Sequence, residues 1–540
     1  MTPDLAKAVA PAQSTASPWW KGAVIYQVYP RSFADSNGDG IGDLKGVTSH
    51  LDHIADLGCD GVWISPFFTS PMKDFGYDVA DYRGVDPIFG TLDDFDALIA
   101  RAHALGLKVM IDQVYSHSSD QHPWFLESRS SRANPKADWY VWADPKADGS
   151  PPNNWQSVFG GPSWTWDARR EQYYHHDFLK EQPQLNVHNA EVQEALLEVA
   201  KFWLERGVDG FRIDALNFAM HDPQLRDNPP VRNPAKKSRP FDFQHHIYNQ
   251  GHPDITRFIE RLRLLADRYD STFTLAEVGG ERSAEEMKLY TAGATRLNSA
   301  YGFDYLYAEA LNPDVVRQTI RDWPASEGEG WPSWAFSNHD SPRFASRWWA
   351  ENQRERGVRV ALMLLMGLRG NAILYQGEEL GLPQAHVAFE HLRDPEAIAN
   401  WPQTLGRDGA RTPMPWTGAA DGGFGSAKPW LPLDPAHLGY NVEAQGADPD
   451  SMLNWTRQLI ALRHNYPALR EGSIRMLDDT SDQVVAFERE LHGDRIACVF
   501  NLSGAPAANP VRSGTVLAST GGADTVSPTL PPASGFFARC

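Results

Sequence analysis

Short runs of β-branched and aromatic residues alternate along most of the chain with longer stretches whose apolar residues recur at helical spacing. Val24-Ile25-Tyr26-Gln27-Val28-Tyr29, ended by Pro30, predicts a first strand. Leu51, Ile54, Ala55 and Leu57 share one helical face that stops at Gly58, and Cys59 to Ser65 reads as a second strand. Leu92 to Leu105 predicts a helix closed by Gly106, followed by a third strand over Leu107 to Ile111 that ends in Asp112. This alternation is the mark of parallel strands joined by helical crossovers.

The rhythm then breaks from Gln113 to His188, a stretch rich in Pro, Asn, Trp, Tyr and His that is too long for an ordinary connection. An inserted loop-rich domain at the top of the third strand is expected. The pattern resumes with Asn189 as a helix cap and Val192, Ala195, Leu196, Val199 and Trp203 on one face, stopped by Gly207. That helix leads into the strand Gly207 to Ala215. Further strands are predicted at Phe273 to Glu277, Ser299 to Tyr305, Trp334 to Asn338 and Ala372 to Tyr375, with helices such as Asp254 to Leu265 and Val358 to Met366 between them. Eight strands with intervening helices predict an α/β fold, a closed (β/α)8 TIM barrel. From about Pro467 the texture changes to alternating strands, for example Val484 to Arg489 and Arg495 to Asn501, which predicts a C-terminal antiparallel β domain. The expected organisation is barrel over 1–112, insertion over 113–188, barrel over 189–466 with a loop-rich segment at 383–440, and the β domain over 467–540.

Composition narrows the function classes. With 42% hydrophobic and 22% charged residues the chain is globular, not disordered. A net charge of −19 without any basic run argues against a nucleic-acid surface. No apolar run reaches the length of a membrane span, and Met1 to Ser17 carries no continuous apolar core of a secretory signal. Cys59, Cys498 and Cys540 are too few for a disulfide framework, so a cytoplasmic location is expected. Many of the 19 tryptophans flank Pro, Gly or Asp, where an aromatic face suits a sugar ring as well as it suits packing.

The candidate chemistry lies at strand ends. In Gly207 to Ala215, Arg212 and Asp214 share one face of the strand while Phe211 and Ile213 share the other. A buried ion pair there is either structural or part of a site. Glu277 ends another predicted strand and Asp340 follows a third. One acid after a strand is often only a helix cap. Three acids together with Arg212, His117 and His339, all at the end of the barrel where loops build active sites, point to a reaction centre. Separately, Asp35, Asn37, Asp39 and Asp43, with the Ile41 carbonyl, present oxygen ligands at the spacing that opens a hard-cation loop. Gly46 stands where an EF-hand has its final glutamate, and Asn-Gly and Asp-Gly are also ordinary turns.

Four motifs, Asp112-Gln113-Val114-Tyr115-Ser116-His117, Gly210-Phe211-Arg212-Ile213-Asp214, Leu275-Ala276-Glu277-Val278 and Ser337-Asn338-His339-Asp340, resemble those of the α-amylase superfamily, glycoside hydrolase family 13. Gln27 to Phe33, Gly76 to Val79, Gln182 to Asn186 and Gly406 to Pro413 are similar to its α-glucosidase and oligo-1,6-glucosidase group. The resemblance implies a retaining reaction in which Asp214 is nucleophile, Glu277 acid/base and Asp340 the third acid that holds ring hydroxyls. Arg212 would keep Asp214 ionised, and Glu277 would begin protonated. It further implies that His117 and His339 bond the sugar, that Tyr77 and Phe178 face its ring, and that Asp74 and Arg407 grip its non-reducing end and make the enzyme exo-acting. Ala215, a small residue after the nucleophile, implies a preference for α-1,4 over α-1,6 bonds. The metal loop implies structural Ca²⁺ or Mg²⁺, with no cofactor for the chemistry. Ser116 replaces the asparagine that holds calcium beside the site in many α-amylases, so no calcium is expected there. Gln184 stands where relatives often carry Asp, which leaves linkage preference open. An oligo-1,6-glucosidase, a sucrose hydrolase and a sucrose or trehalose isomerase are alternatives on the same fold. Non-catalytic transporter-partner relatives have lost the carboxylates that this chain keeps. The expected partner is a small glucoside.

Overall fold

The computed structural model describes residues 17–232, 239–323, 330–402, 406–426, 428–477 and 481–540. The stretch Met1 to Ser17 therefore lies almost wholly outside the described residues. Eight parallel strands, β1 (Val24–Val28), β2 (Gly61–Ile64), β3 (Lys108–Val114), β4 (Gly210–Asp214), β5 (Phe273–Glu277), β6 (Ser299–Tyr301), β7 (Trp331–Ala335) and β8 (Asn371–Tyr375), close into a barrel in chain order. Alternation along the strands separates two apolar sets. Ile25, Trp63, Met110, Phe273, Leu275 and Ile373 fill the barrel interior, where Trp20 stacks on Phe273 at 5.4 Å. Val24, Tyr26, Val62, Ile111, Phe211 and Ile213 instead face the surrounding helices.

Local chemistry sets the element ends. Gly58 closes the helix Leu51–Leu57 in the left-handed conformation at φ 92°. Asn189 caps the helix Ala190–Glu205 by accepting from the Glu191 N–H at 2.8 Å. Most predicted strands differ from the observed ones at their ends, and three of the differences are informative. β3 continues to Val114, so Asp112 is an interior position facing into the barrel. β6 stops at Tyr301. β7 begins at Trp331, before the predicted Trp334, because Pro332 reads as a strand breaker yet sits in register with Ala300.

Between β3 and the helix Ala190–Glu205 the chain forms a three-stranded antiparallel sheet from Trp142–Ala143, Gln172–His175 and Trp164–Asp167. The C-terminal part is a five-stranded antiparallel sheet of β9 (Ser473–Met476), β10 (Val484–Leu491), β11 (Asp494–Asn501), β12 (Thr515–Thr520) and β13 (Ser534–Arg539), ordered β9-β10-β11-β13-β12. It packs on the barrel helix Arg354–Gly367, where Phe487 and Phe537 lie against Gly367. The buried Arg489 donates to the carbonyls of Gly367 (2.8 Å), Leu469 (2.7 Å), Gly472 (2.9 Å) and Ser473 (3.0 Å), satisfying helix-end acceptors with no carboxylate partner among the described residues. Among the described residues no helix is long and apolar enough to cross a membrane.

Candidate active site

Asp214 is the last residue of β4 and Glu277 the last of β5, so two neighbouring strands deliver the two acids side by side. The chain turns immediately after Asp214. Ala215 adopts φ 40° and ψ 46°, an uncommon left-handed conformation for a residue with a side chain, and its N–H donates to Glu277 Oε2 at 3.2 Å. A backbone bond thus joins the two strand ends.

Arg212 sits beneath them, fully buried. Its guanidinium meets Asp112 at 2.5 Å, Asp214 at 2.7 Å and Glu277 at 2.5 Å, and its Nε donates to Tyr301 Oη at 3.2 Å. Tyr301 donates onward to Glu277 Oε1 at 2.9 Å, and Trp63 Nε1 to Asp112 at 2.9 Å. One cation therefore answers three acids. Burial pushes the Asp214 carboxyl well above the usual carboxylate range; Arg212 pulls it down, but Glu277, Asp112 and Asp340 add to the rise. Asp112 is likewise raised, to about 6, by burial against the opposing pull of Arg212. Arg212 thus favours the ionised form of Asp214 but is shared among three acids, and burial with the neighbouring acids opposes it.

Asp340 lies in the loop after β7, with a different balance. Arg411 approaches it at 2.6 Å, Arg407 at 3.3 Å and His339 Nε2 at 3.1 Å. Burial would raise its pKa, but the cations Arg411, Arg407 and Arg212 hold it well below the usual carboxylate range, with the His339 ring beside it. Arg407 also pairs with Asp74 (2.9 Å) and Asp394 (2.8 Å), and Gln182 Nε2 donates to the other Asp74 oxygen at 3.1 Å. Asp74, Asp340 and Arg407 line a cavity of about 280 Å³, toward the small end of ligand pockets.

Asp74, Tyr77, His117, Phe178, Asp214, Ala215, Glu277, Asp340 and Arg407 all line that cavity. Arg212 and His339 lie behind its wall. His339 is held between Gln27 Nε2 at 2.8 Å and Tyr77 Oη at 2.6 Å, with the Tyr77 ring stacked on it at 5.5 Å. Burial lowers His117 to about 4 and His339 to about 3, which leaves both rings neutral. Phe159, Phe218, Phe241, Phe303 and Tyr307 add aromatic lining to the cavity, and the pair Arg239–Glu396 at 3.4 Å lines it as well. Sequence reasoning missed Asp112, Tyr301, Asp394 and Arg411 as site residues. Asp112 and Arg411 were inside motifs already singled out; Tyr301 and Asp394 carried no local signal.

The oxygen-rich loop is a ladder of turns. Asp35 accepts from the N–H groups of Asn37 (3.0 Å), Gly38 (2.7 Å) and Gly40 (2.8 Å), Asn37 from Asp39 (2.9 Å), and Asp39 from Ile41 (2.8 Å). Asp43 caps the helix Leu44–Ser49 through the Gly46 N–H at 2.7 Å. The donor set is all oxygen and suits a hard cation. Its three carboxylates are not gathered around one point: among the described residues the one acid, imidazole or thiol triad with ligand atoms within 4.8 Å is His188, His252 and Asp254.

Residues 27–472 match the alpha-amylase catalytic domain. The chain is 53% identical over 494 residues to a probable alpha-glucosidase of Rhizobium meliloti, covering 90% of this chain and 89% of that one. It is 37% identical over 522 residues to an oligo-1,6-glucosidase of Heyndrickxia coagulans, covering 90% and 92%. Among solved structures it resembles an alpha-glucosyl transfer enzyme, XgtA, with a TM-score of 0.93, 50% identity and coverage of 97% and 100%. The trehalulose synthase MutB of Pseudomonas mesoacidophila follows at a TM-score of 0.87, 32% identity and coverage of 97% and 100%. With three strand-end acids in one cavity and this likeness along most of its length, the chain belongs to the alpha-amylase family and is a glycoside hydrolase.

Proposed function

We propose that the protein is a retaining, exo-acting α-glucosidase that releases glucose from the non-reducing end of short α-glucosides, with α-1,4 preference and glucosyl transfer to other hydroxyls. One observation carries this reading: Asp74 and Arg407, paired at 2.9 Å, line the same small cavity as Asp214, Glu277 and Asp340. Gripping the non-reducing glucose, that pair would stop a chain interior from threading the site.

In the proposed mechanism an Asp214 oxygen bonds the anomeric carbon as the glycosidic C–O bond breaks, and the Glu277 proton passes to the departing oxygen. Glu277, now a carboxylate, takes a proton from water or an acceptor alcohol, whose oxygen displaces Asp214. The fork of Arg212, with one donor on each acid, supports a short carboxyl separation, about 5–5.5 Å in retaining enzymes. Asp340 is held ionised where it can accept ring hydroxyls, and neutral His117 can donate to one. Tyr77 and Phe178 offer faces to the ring. Arg212 and His339 act from behind the wall, the first by sharing charge among the acids and the second by fixing Tyr77.

Once its carboxylates are drawn together around one ion, the set Asp35, Asn37, Asp39, the Ile41 carbonyl and Asp43 would hold Ca²⁺ or Mg²⁺, which would neutralise charge within the loop. A cytoplasmic location belongs to the same reading. The likeness to MutB favours sucrose isomerisation as a second reading, since isomerisation and hydrolysis share the covalent intermediate. Initial rates on maltose, isomaltose, sucrose and trehalose separate them. Maltose is expected to be the best substrate, and strong turnover of sucrose with none of maltose would refute the α-1,4 assignment.

A further inference from the structure

Away from the sugar cavity, His188, His252 and Asp254 bring one ligand atom each within 4.8 Å of one another. His188 precedes the helix Ala190–Glu205, and its Nε2 lies 2.7 Å from the His221 carbonyl oxygen. A carbonyl only accepts, so Nε2 carries the proton and Nδ1 keeps its lone pair. Metal-binding imidazoles are oriented in this way, one nitrogen donating to a carbonyl while the other faces the ion. At His252 the Asp254 N–H reaches Nδ1 at 3.4 Å, so that nitrogen is the unprotonated one, and this long bond is exchanged when its lone pair turns to an ion. The same Nδ1 is 3.9 Å from Asp254 Oδ2, too long for a hydrogen bond and near the spacing of two ligands on one ion. The His188 and His252 rings stand nearly perpendicular, with centroids 5.0 Å apart. Beside them the buried His221 keeps Nδ1 without a hydrogen-bond partner among the described residues.

We infer that His188, His252 and Asp254 form a binding site for a divalent transition cation of the zinc class. Two imidazole nitrogens and one carboxylate suit such an ion, whereas the all-oxygen loop at 35–43 suits Ca²⁺ or Mg²⁺. The ion ties two segments together. His188 ends the connection that leaves the three-stranded sheet, while His252 and Asp254 follow Gln250, which lines the sugar cavity. Gly251, between them, donates to the carbonyl of Asn217, another cavity residue, at 2.7 Å. Zinc at this place fastens one wall of the cavity to the inserted segment from outside.

The test is calorimetric titration of the chelator-stripped full chain with Zn²⁺, beside His252→Ala and Asp254→Asn variants whose folding is verified by circular dichroism. One ion per chain is expected, bound about tenfold or more weakly in each variant. Zinc should raise the thermal midpoint of the native chain and of neither variant, and excess Ca²⁺ should not displace it. Co²⁺ used as a probe should give visible absorption bands that both variants lose. The absence of a one-to-one isotherm in the native chain, or an isotherm unaltered in both variants, overturns the assignment.

Discussion

Two acid clusters meet in the cavity, and they are built to opposite balances. Around Arg212 a single guanidinium serves Asp112, Asp214 and Glu277. Around Asp340, Arg407 and Arg411 both approach, although Arg407 also serves Asp74 and Asp394. The same side chain consequently titrates in opposite directions a short way apart: Asp214 is pushed up and Asp340 pulled down. The lesson is that burial alone does not set a carboxylate's state; the number of cations it must share does. The crowded acids around Arg212 resist full ionisation at Asp214 and Asp112, while Asp340 is held in the charged form that can accept hydroxyls.

The comparison can be broken most severely at Asp214. Asp214→Asn should lower glucose release by about 10⁴-fold or more in a maltose assay, yet leave the thermal midpoint equal or higher, because it relieves the surplus of negative charge. Next comes Arg212→Lys, which keeps one charge but loses the fork that reaches three acids. It should cost about 3–5 kcal/mol of stability by denaturant titration and reduce turnover. Asp112→Asn sharpens the argument: with one acid fewer around Arg212, the Asp214 pKa should fall. Because attack needs Asp214 ionised, the acid limb of kcat/KM should then move to lower pH; an unmoved limb would show that Asp112 exerts no pull. The smallest effect is expected from Ala215→Val. A β-branched residue at φ 40° adds strain of about 1–3 kcal/mol and should raise the isomaltose-to-maltose rate ratio.

Much of this was legible in the chain itself. The apolar runs and their breaks located all eight barrel strands, because buried parallel strands are written as short continuous apolar segments. Phe273–Glu277 coincides with its predicted span. The start of β7 was hidden by Pro332, whose missing N–H reads as an interruption although the barrel accommodates it. Arg212 beside Asp214 could be paired from strand alternation alone. Its bond to Asp112, a hundred positions earlier, could not, because that partnership depends on the register of β3 against β4. Arg411 stood in a recognised motif, but its partner Asp340 lies 71 positions away. Asp394 and Tyr301 became visible only when closure of the barrel brought their elements over the site. Local patterning reports which face a residue occupies; the company it keeps there is a property of the closed chain.

Arg489 carries a different consequence, one for the history of the architecture. It belongs to the small C-terminal sheet, yet one of the carbonyls it satisfies is the end of a barrel helix at Gly367. Removing the sheet would take Arg489 away together with Phe487 and Phe537, leaving both that acceptor and the apolar helix face at Gly367 uncovered. The appendage is therefore a keystone, not a passenger. A lineage that shed it would first have to reinvent the end of a helix on the far side of the joint.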